Sequence, residues 1–313
     1  MEHDAPPVQI ADTQILDTFA EAFGMRYVRP IVTAHDEYWL DAALAEFTGY
    51  SSSVIACDAE TGLERRLSPE ETPDGRVGAA LLAFAFSTDG LAKAVPNRVG
   101  QCVMTCPTTA VFDGADLAAD NLVEKNGRPR RIPLGKQIRY FGDGFQKSKQ
   151  IAGRRYWRIP VMDGEFLIEE SLAVANGIAG GNIILQASSV EAALAAARRA
   201  TEAIATVPGT ITPFPGGVAR SGSKVGSRYK GLVASTSDGY CPTLIGRVET
   251  QLVDGCRAAL EIVIDGVSET AVADAMRAAL RAAAGDGVLA IGAGNYGGKL
   301  GKYHFKLHEL LAS

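Results

Sequence analysis

Two glycine-rich stretches in the C-terminal half contain the residues best suited to bind and activate a ligand. We call residues 214–227 (FPGGVARSGSKVGS) the central glycine loop and residues 292–301 (GAGNYGGKLG) the C-terminal glycine loop. A third glycine run, residues 176–182, precedes both of them. Because glycine weakens the interior of helices and strands, all three runs predict loops whose backbone amides approach a ligand closely. Arg220 and Lys224 of the central glycine loop are available to bind an anion.

The glycine loops do not fit the standard nucleotide-binding motifs. Residues 292–297 form a GxGxxG after a predicted strand, but the sequence ends sixteen residues after Gly297. That length is too short for the crossover helix, second strand and acidic residue of a dinucleotide-binding unit. The run from Gly217 to Lys224 misses the P-loop spacing by one residue and lacks its Gly-Lys pair. We therefore predict no nucleotide site.

Neither histidine nor cysteine follows a metal-binding pattern. His304 and His308 are four residues apart, but we predict that most of this interval is a strand, and no acidic residue completes an HExxH motif. Cys102 and Cys106 would be reactive only in a cationic or helix-terminal setting, and we favour a buried structural role for them. An odd number of cysteines without CxxC spacing predicts reduced thiols, which are Cys57, Cys102, Cys106, Cys241 and Cys256.

Glu261 is the main candidate for proton transfer. It lies in the predicted strand 258–265, where alternation places it on the same face as Ala259 and Val263. A carboxylate between small apolar neighbours would be desolvated, which raises its pKa and favours proton exchange near neutral pH. The alternative is that this face meets solvent, and the pattern alone leaves both possibilities open.

The composition is that of an ordinary globular protein. Apolar residues make up 47% and charged residues 21% of the 313 residues. The net charge of −5 argues against nucleic-acid binding, which usually requires a basic surface. No apolar run approaches the roughly 18 residues of a membrane span, and no signal peptide is apparent. We therefore predict a cytoplasmic protein without a membrane partner, long enough for two lobes.

Hydrophobic periodicity and turn residues divide the N-terminal half into short elements. We predict one helix that begins after its N-cap Asp36 and runs to Phe47. The predicted strands are residues 27–34, 53–57, 77–87, 100–105, 139–141, 155–160 and 166–173, with a hairpin turn at Asp163 and Gly164. The predicted irregular segments are a frayed extension at 1–14, an exposed loop at 61–76 and a surface excursion at 113–135.

The C-terminal half alternates strands and helices more regularly. The predicted N-cap is Ser188 or Ser189 for an alanine-rich helix that ends near residue 205, and Ser268 for a second helix that ends near residue 284. The predicted strands are residues 183–186, 210–212, 258–265, 288–291 and 303–307. This order resembles the split β-α-β plan, in which two helices cover one antiparallel sheet. We therefore expect an α+β protein with two ferredoxin-like sandwich lobes, residues 1–163 and residues 164–313.

Several longer motifs resemble those of the formylmethanofuran–tetrahydromethanopterin formyltransferases. They are residues 69–75, 100–105, 140–144, 214–227, 240–243 and 293–301. The resemblance begins near residues 17–23 and continues to the end of the sequence. The departures are the additional N-terminal residues and a basic insertion at 121–134. Because this chain is only mildly acidic, it is more similar to the bacterial branch found in methylotrophs than to the strongly acidic archaeal members.

The resemblance implies an acyltransferase of one-carbon metabolism. It would transfer a formyl group reversibly between a nitrogen of (dephospho)tetrahydromethanopterin and the amine of a methanofuran-type carrier, by direct attack through a tetrahedral intermediate. It implies that the chemistry requires no metal or other cofactor, and that the chain forms a homo-oligomer or joins the subunits of a formyltransferase/hydrolase complex. The alternatives are a non-catalytic carrier-binding or scaffold subunit of such a complex, and a pterin- or folate-binding enzyme with another acyl substrate.

The resemblance also implies roles for particular residues. Because both nucleophiles are nitrogens of the substrates, the protein must supply proximity, proton transfer and stabilisation of an oxyanion. Glu261 is the expected acid/base or pterin-orienting residue. The glycine loop amides, with Asn182 or Asn295, are the expected oxyanion donors, and the cations would meet the glutamyl carboxylates of the carrier. The expected substrate-binding residues are Asn182, Gly216, Gly217, Arg220, Ser223, Lys224, Asn295, Gly297, Gly298 and Lys299.

Overall fold

The computed structural model describes residues 8–312 of the chain. Two compact units are present. The central unit is Met25–Gly177, and the terminal unit consists of Met1–Gly24 together with Ile178–Ser313, of which residues 8–24 and 178–312 are described. The lobe limits expected from the sequence, 1–163 and 164–313, stay a prediction.

The secondary structure consists of short strands and a smaller number of helices. The strands are β1 (Gln9–Ile10), β2 (Thr13–Ile15), β3 (Phe19–Val28), β4 (Pro30–Thr33), β5 (Glu60–Leu67), β6 (Gly78–Ala85), β7 (Ala110–Asp113), β8 (Glu124–Lys125), β9 (Arg128–Pro129), β10 (Arg131–Pro133), β11 (Lys147–Ile151), β12 (Arg154–Val161), β13 (Gly164–Glu169), β14 (Ser171–Ala173), β15 (Ala175–Ala187), β16 (Thr210–Ile211), β17 (Lys224–Val225), β18 (Ala234–Ser235), β19 (Ala258–Gly266), β20 (Val288–Gly292) and β21 (Tyr303–Lys306). The helices are α1 (Glu37–Thr48), α2 (Thr88–Arg98), α3 (Gly135–Ile138), α4 (Val190–Ile204), α5 (Glu269–Ala283) and α6 (Leu307–Ala312). No helix within residues 8–312 is long and apolar enough to cross a membrane.

The central unit contains a complete split β-α-β unit. Strand β6 pairs antiparallel with β4 and with β5, and β4 pairs antiparallel with β7, so the sheet order is β5-β6-β4-β7. Helices α1 and α2 provide buried apolar side chains for its core, including Leu40, Phe47, Leu91 and Val95. The sheet continues through β13, which is parallel to β7, and through the antiparallel strands β12 and β11.

The terminal unit repeats this plan. Strand β15 pairs antiparallel with β19 and β20, and β19 pairs antiparallel with β16, which gives the order β20-β15-β19-β16. The connecting helices α4 and α5 bury mainly alanines, which allow the helices and sheet to approach closely; these include Ala193, Ala196, Ala200, Ala275 and Ala279. Both units therefore have the ferredoxin-like strand order, and the expected α+β class is confirmed.

The N-caps explain where the helices begin. Asp36, Ser189 and Ser268 have extended backbones, and each side chain accepts a hydrogen bond from the backbone N–H three residues later. The three helices predicted from these caps are confirmed. Helix α2, capped in the same way by Ser87, is absent from the sequence-based prediction.

Three elements predicted in the N-terminal half are wrong in type. The predicted strand 100–105 is a π-turn, Val99–Val103, that continues α2, and its buried residues Val99 and Val103 are spaced as on a helix. The predicted strand 53–57 is a series of turns, and the predicted strand 139–141 is a 3-10 helix, Arg139–Gly142. Short apolar runs do not distinguish helix from strand, and this ambiguity accounts for the errors.

Two segments predicted as loops are strands. The predicted loop 61–76 contains β5, which among the described strands pairs only with β6 and exposes Arg65 and Arg66, and edge strands commonly carry such charges. The glycine run 176–182 lies inside β15. A Cβ atom on Gly181 would lie 2.4 Å from Val272 Cγ1 of α5, so glycine here permits close helix packing. In the predicted extension 1–14, residues 1–7 lie outside the described residues, and β1 and β2 form a hairpin.

Candidate functional site

Glu261 joins the central strand β19 to the central glycine loop. The Ala219 N–H donates to the Glu261 carbonyl at 2.8 Å, and the Glu261 N–H donates to the Ala219 carbonyl at 3.2 Å. This isolated bridge holds the loop against the strand at the residue that carries the carboxylate. The Glu261 side chain is buried, with the residue 6% exposed. Of the two possibilities left open by the sequence pattern, the desolvated one is therefore observed.

The electrostatic environment of Glu261 favours the protonated carboxyl group. Burial raises the pKa of Glu261, and the hydrogen bonds from Ser223 oppose this effect without cancelling it. The Ser223 hydroxyl donates to Glu261 Oε1 at 2.8 Å. No lysine, arginine or histidine among residues 8–312 forms an ion pair with this carboxylate. Glu261 is thus a buried carboxyl group whose raised pKa suits it to proton transfer.

Two tyrosines add neutral hydroxyl groups around Glu261. Burial raises the pKa of Tyr240, and the charge of Glu261 raises it further. The same causes, with a contribution from Glu21, raise the pKa of Tyr296 to about 12. The Tyr296 hydroxyl donates to the Ser223 carbonyl at 3.1 Å, which connects the C-terminal and central glycine loops. Both tyrosines can therefore act as hydrogen-bond donors without carrying charge at neutral pH.

Glu261 lines an open pocket beside the central glycine loop. Arg220, Ser237, Tyr240 and Cys241 contribute to the same lining. Ala259 and Leu260 of β19, with Ile184 of β15, form an apolar wall, so a ligand in the pocket would meet both a desolvated carboxyl group and polar loop atoms. This combination of a concave site with a few convergent polar groups is typical of a substrate pocket.

The other predicted glycines lie in tight turns of the two loops. Gly216 and Gly217 form the turn Pro215–Gly217, in which Gly217 is buried against threonine side chains. Gly297 and Gly298 both have positive φ angles in the C-terminal glycine loop. The backbone there turns so that the N–H groups of Tyr296 and Gly298 both meet a carboxylate of the protein itself.

The two predicted asparagines hold the backbone in place. The Asn182 amide donates to the carbonyls of Gly180 and Gly294, each at 3.1 Å, and its oxygen accepts from the Gly294 N–H at 2.6 Å. The Asn295 amide donates to Thr18 Oγ1 and the Phe19 carbonyl. Both N–H bonds of each amide are therefore engaged in this geometry. The expected role of Asn182 and Asn295 as oxyanion donors stays a prediction. In that role each amide would have to release one of these partners and donate to the substrate oxygen instead.

The predicted cations differ in how far they are already neutralised. Lys224 Nζ lies 2.6 Å from Asp238 Oδ1, and the hydrogen bond from Lys224 lowers the pKa of Asp238. Arg228 approaches the same carboxylate at 3.9 Å. Arg220 and Lys299 are exposed, and neither forms an ion pair with another described residue. These two are the cations best placed to meet an anionic ligand.

Glu21 was not identified from the sequence, although its position contains a signal. It lies in the strand segment FAEAF of β3, where a charged residue among apolar ones indicates a buried carboxylate with a specific set of partners. Tyr240 and Tyr296 were also missed as site residues, because a lone tyrosine has no distinctive spacing. Among residues 8–312, no group of three or more histidine, cysteine, aspartate or glutamate side chains could hold a metal ion.

Comparison with known families covers almost the whole chain. Residues 8–161 match the family model described as formylmethanofuran-tetrahydromethanopterin formyltransferase, and residues 164–310 match the one described as its proximal lobe. A protein named formylmethanofuran–tetrahydromethanopterin formyltransferase from Methylobacillus flagellatus is 52% identical over 300 residues, covering 95% of this chain and 97% of that protein.

Two solved structures have the same fold. One is the formyltransferase from Methanosarcina barkeri, with a TM-score of 0.87 and 44% identity over 97% of this chain and 100% of that one. The other is the formyltransferase/hydrolase complex from Methylorubrum extorquens with methylofuran, in which the matching chain is 47% identical. Its TM-score is 0.89, over 97% of this chain and 99% of that one.

Proposed function

Since the chain belongs to the formylmethanofuran–tetrahydromethanopterin formyltransferase family, we propose that Glu261 is the acid/base residue of formyl transfer between a tetrahydromethanopterin-type pterin and a methanofuran-type amine. The observation that carries this assignment is a buried carboxyl group with a raised pKa, in a pocket lined by the central glycine loop and by β19. Both substrates supply their own nitrogen, so no protein nucleophile is needed and proton transfer is the chemical task of the side chain.

The proposed reaction begins with attack of the amine nitrogen of one carrier on the formyl carbon of the other. A C–N bond forms, the carbonyl electron pair moves to oxygen, and ionised Glu261 accepts the proton released by the attacking nitrogen. As the intermediate collapses, the C=O bond re-forms, the original C–N bond breaks, and Glu261 returns the proton to the departing nitrogen. Proton and charge balance at the end, and Glu261 regains its starting state.

The loops would bind the parts of the substrates that do not react. Backbone amides of the two glycine loops are the proposed oxyanion donors, together with the neutral hydroxyls near Glu261. Arg220 and Lys299 are exposed and have no ion-pair partner among the described residues, so they are the proposed contacts for the carboxylates of the furan carrier. Lys224 would have to leave Asp238, or bind the carrier together with it.

The proposal extends to the setting in which the chain works. The complex with methylofuran from Methylorubrum extorquens supports assembly of this chain with other subunits, with itself, or both. The five cysteines are free thiols, as expected in the reducing cytoplasm. No metal or prosthetic group enters any of the proposed steps.

The test is a formyl-transfer assay with the purified chain. Formyl-tetrahydromethanopterin and a furan amine carrier are mixed with the wild type, with E261Q, or with E249Q as an exposed glutamate control, and the formylated carrier is measured by mass. Transfer by the wild type and by E249Q but not by E261Q would support the proposal. Transfer only after addition of cell-derived partner subunits would indicate an obligate complex. Absence of transfer in both settings would favour a non-catalytic carrier-binding subunit.

A further inference from the structure

Glu21 is a buried carboxylate outside the proton-transfer machinery described above. The residue is 1% exposed, lies in β3 and is flanked by the buried Ala20 and Ala22. Burying a carboxylate is costly unless hydrogen bonds replace its water. No described cation forms an ion pair with Glu21, so its compensation must come from hydrogen bonds.

The compensation comes from the backbone of the C-terminal glycine loop. Glu21 Oε2 accepts from the N–H groups of Tyr296 at 2.7 Å and Gly298 at 2.8 Å. Glu21 Oε1 accepts from the N–H groups of Leu300 at 2.6 Å and Gly301 at 2.5 Å. Burial raises the pKa of Glu21, but these four bonds outweigh it, so the pKa is lowered and the carboxylate is ionised at neutral pH.

The loop lies so close to β3 that its shape depends on this carboxylate. A Cβ atom on Gly301 would come within 2.6 Å of the Ala22 carbonyl oxygen and 2.7 Å of Glu21 Cγ. The Glu21 backbone N–H also donates to the Gly294 carbonyl, near the start of the loop. Glu21 therefore contacts the loop near both of its ends.

The loop in turn reaches Glu261 through two hydrogen bonds. Tyr296 is held through its N–H by Glu21, and its hydroxyl donates to the Ser223 carbonyl at 3.1 Å. The Ser223 hydroxyl donates to Glu261 at 2.8 Å. We propose that Glu21 is a positioning residue for formyl transfer: it fixes the C-terminal glycine loop so that Tyr296 holds Ser223 against Glu261. This inference rests on the proposed role of Glu261.

The four N–H donors explain why the residue is a glutamate. A carboxylate offers two oxygens that only accept hydrogen bonds, whereas glutamine offers one oxygen and one NH₂ group. Each oxygen of Glu21 accepts from two backbone N–H groups, so Glu21→Gln would replace one of these oxygens by an NH₂ group. The NH₂ group would then face two N–H donors without an acceptor between them. Glu21→Asp keeps both oxygens but shortens the side chain by one methylene, so it should retain part of the function.

The kinetic test is a double-mutant cycle on kcat and KM for formyl transfer. E21Q should lower kcat by up to about tenfold, no more than loss of the Ser223 hydroxyl itself, and leave KM within about threefold. E21D should recover most of this loss. Because Glu21 acts through Ser223, E21Q should have little further effect in the S223A background, so that the double variant has the kcat of S223A. Multiplicative losses in the double variant would overturn the proposal.

A matched control separates positioning from general loss of stability. S189A removes the N-cap of α4 in the same unit without touching either glycine loop, and it should leave kcat unchanged at a temperature where the protein is folded. If E21Q also leaves kcat unchanged under these conditions, Glu21 is structural only and the proposal fails.

Hydrogen exchange followed by mass spectrometry tests the positioning independently of catalysis. E21Q should speed exchange of the amides of residues 296–301 and also of residues 221–224, while E21D and S189A should not. If exchange changes as expected but the wild type transfers no formyl group, the proposed function fails and the loop connection stands. Unchanged exchange at residues 221–224 in E21Q would overturn the connection itself.

Discussion

Each compact unit buries carboxylates, but the two units give them different partners. In the central unit, Arg154 forms two hydrogen bonds to Glu169, at 2.8 and 2.6 Å, and Arg131 pairs with Asp113 at 2.5 Å. The Asp113 N–H also donates to Glu169 Oε2 at 2.9 Å. In the terminal unit, Glu261 accepts from Ser223 and forms no ion pair with a described cation.

The buried carboxylates of the two units differ in which contacts would be lost when they are protonated. Burial raises the pKa of Asp113, Glu169 and Glu261 alike, but only the first two are opposed by arginine charges. Protonation of Glu169 would break a bidentate ion pair that joins β12 and β13. Protonation of Glu261 would weaken the contact with one serine. The central unit thus uses its carboxylates to hold strands together, whereas the terminal unit keeps one free to change protonation state.

The largest expected difference between the two units is in kcat for formyl transfer, compared between E261Q and E169Q. E261Q should lower kcat for formyl transfer by about 10²–10⁴-fold, the usual contribution of a general acid/base. E169Q should retain wild-type kcat within about threefold when assayed at a temperature where it is folded, because Glu169 is expected to act on stability alone. Steady-state kinetics on both purified variants provides the measurement. Equal losses in the two variants would mean that the distinction between the units is wrong.

The free energy of unfolding should fall more in E169Q than in E261Q, which is the reverse of the order expected for kcat. E169Q breaks a pair whose carboxylate is buried and whose Arg154 side chain is 37% exposed. We expect it to lower the free energy of unfolding by about 2 kcal/mol, less than the full cost for a completely buried pair. E261Q removes a desolvated carboxyl group that has no ion-pair partner and should leave stability unchanged or higher. Urea unfolding of the three proteins provides the comparison.

The chain contains a matched control for the loss in E169Q. Glu165 also lies in β13 and pairs with an arginine of β12, Arg158, but both side chains are largely exposed. E165Q should therefore change the free energy of unfolding by less than about 1 kcal/mol. A loss in E165Q as large as that in E169Q would show that strand identity matters more than burial of the pair.

Ser223→Ala removes the hydroxyl that donates to Glu261 Oε1 and keeps the backbone N–H of residue 223. A hydrogen bond to the ionised form lowers a carboxyl pKa, so its removal should raise the pKa of Glu261 further. If ionised Glu261 accepts the proton, the acid limb of the kcat/KM profile should move to higher pH, with about tenfold lower activity at neutral pH.

The tyrosines near Glu261 do not contribute to the acid limb of the kcat/KM profile. Tyr240 and Tyr296 have raised pKa values and do not titrate in the acid limb. S227A removes another serine hydroxyl of the central glycine loop, one that contacts only local backbone, and should leave the profile in place. An S223A profile that overlies the wild type would exclude the serine from tuning Glu261.

Much of this comparison could be predicted from the sequence. N-cap residues followed by apolar periodicity identified α1, α4 and α5, and their alternation with strands indicated two ferredoxin-like lobes. The two glycine loops and Glu261, taken from one half of the sequence, do come together in one unit. Local patterns were sufficient because the caps, turns and helix faces are determined within a few residues.

The remainder depends on contacts between distant residues. Glu21 binds the backbone of a loop about 275 positions away, and no local pattern indicates such a partner. The charges of β5 suggested a loop, but Arg66 pairs with Glu37 and Asp41 of α1, residues 25 or more positions away that no local pattern connects to it. Asn182 was expected to face a ligand, but its amide holds Gly294, because strand register brings the two residues together.

The smallest expected effect is the pH dependence of stability that Glu261 contributes. Its folded pKa is raised above the unfolded value of about 4.3, so the protein binds this proton more tightly when folded. The corresponding stabilisation is complete below the unfolded pKa and is lost as the pH rises through the folded pKa. Asp113 and Glu169 contribute in the same direction, so the wild type alone does not isolate Glu261.

The difference between the wild type and E261Q isolates it, because the other carboxylates are common to both proteins. Glutamine does not titrate, so the free energy of unfolding of the wild type relative to E261Q should fall as the pH rises above about 4.3 and then level off. Urea unfolding at a series of pH values provides the curve. A relative stability that rises with pH would mean that Glu261 is stabilised in its ionised form, like Glu21. In that case the terminal unit would hold both glutamates as fixed charges, and the contrast with the arginine-paired central unit would disappear.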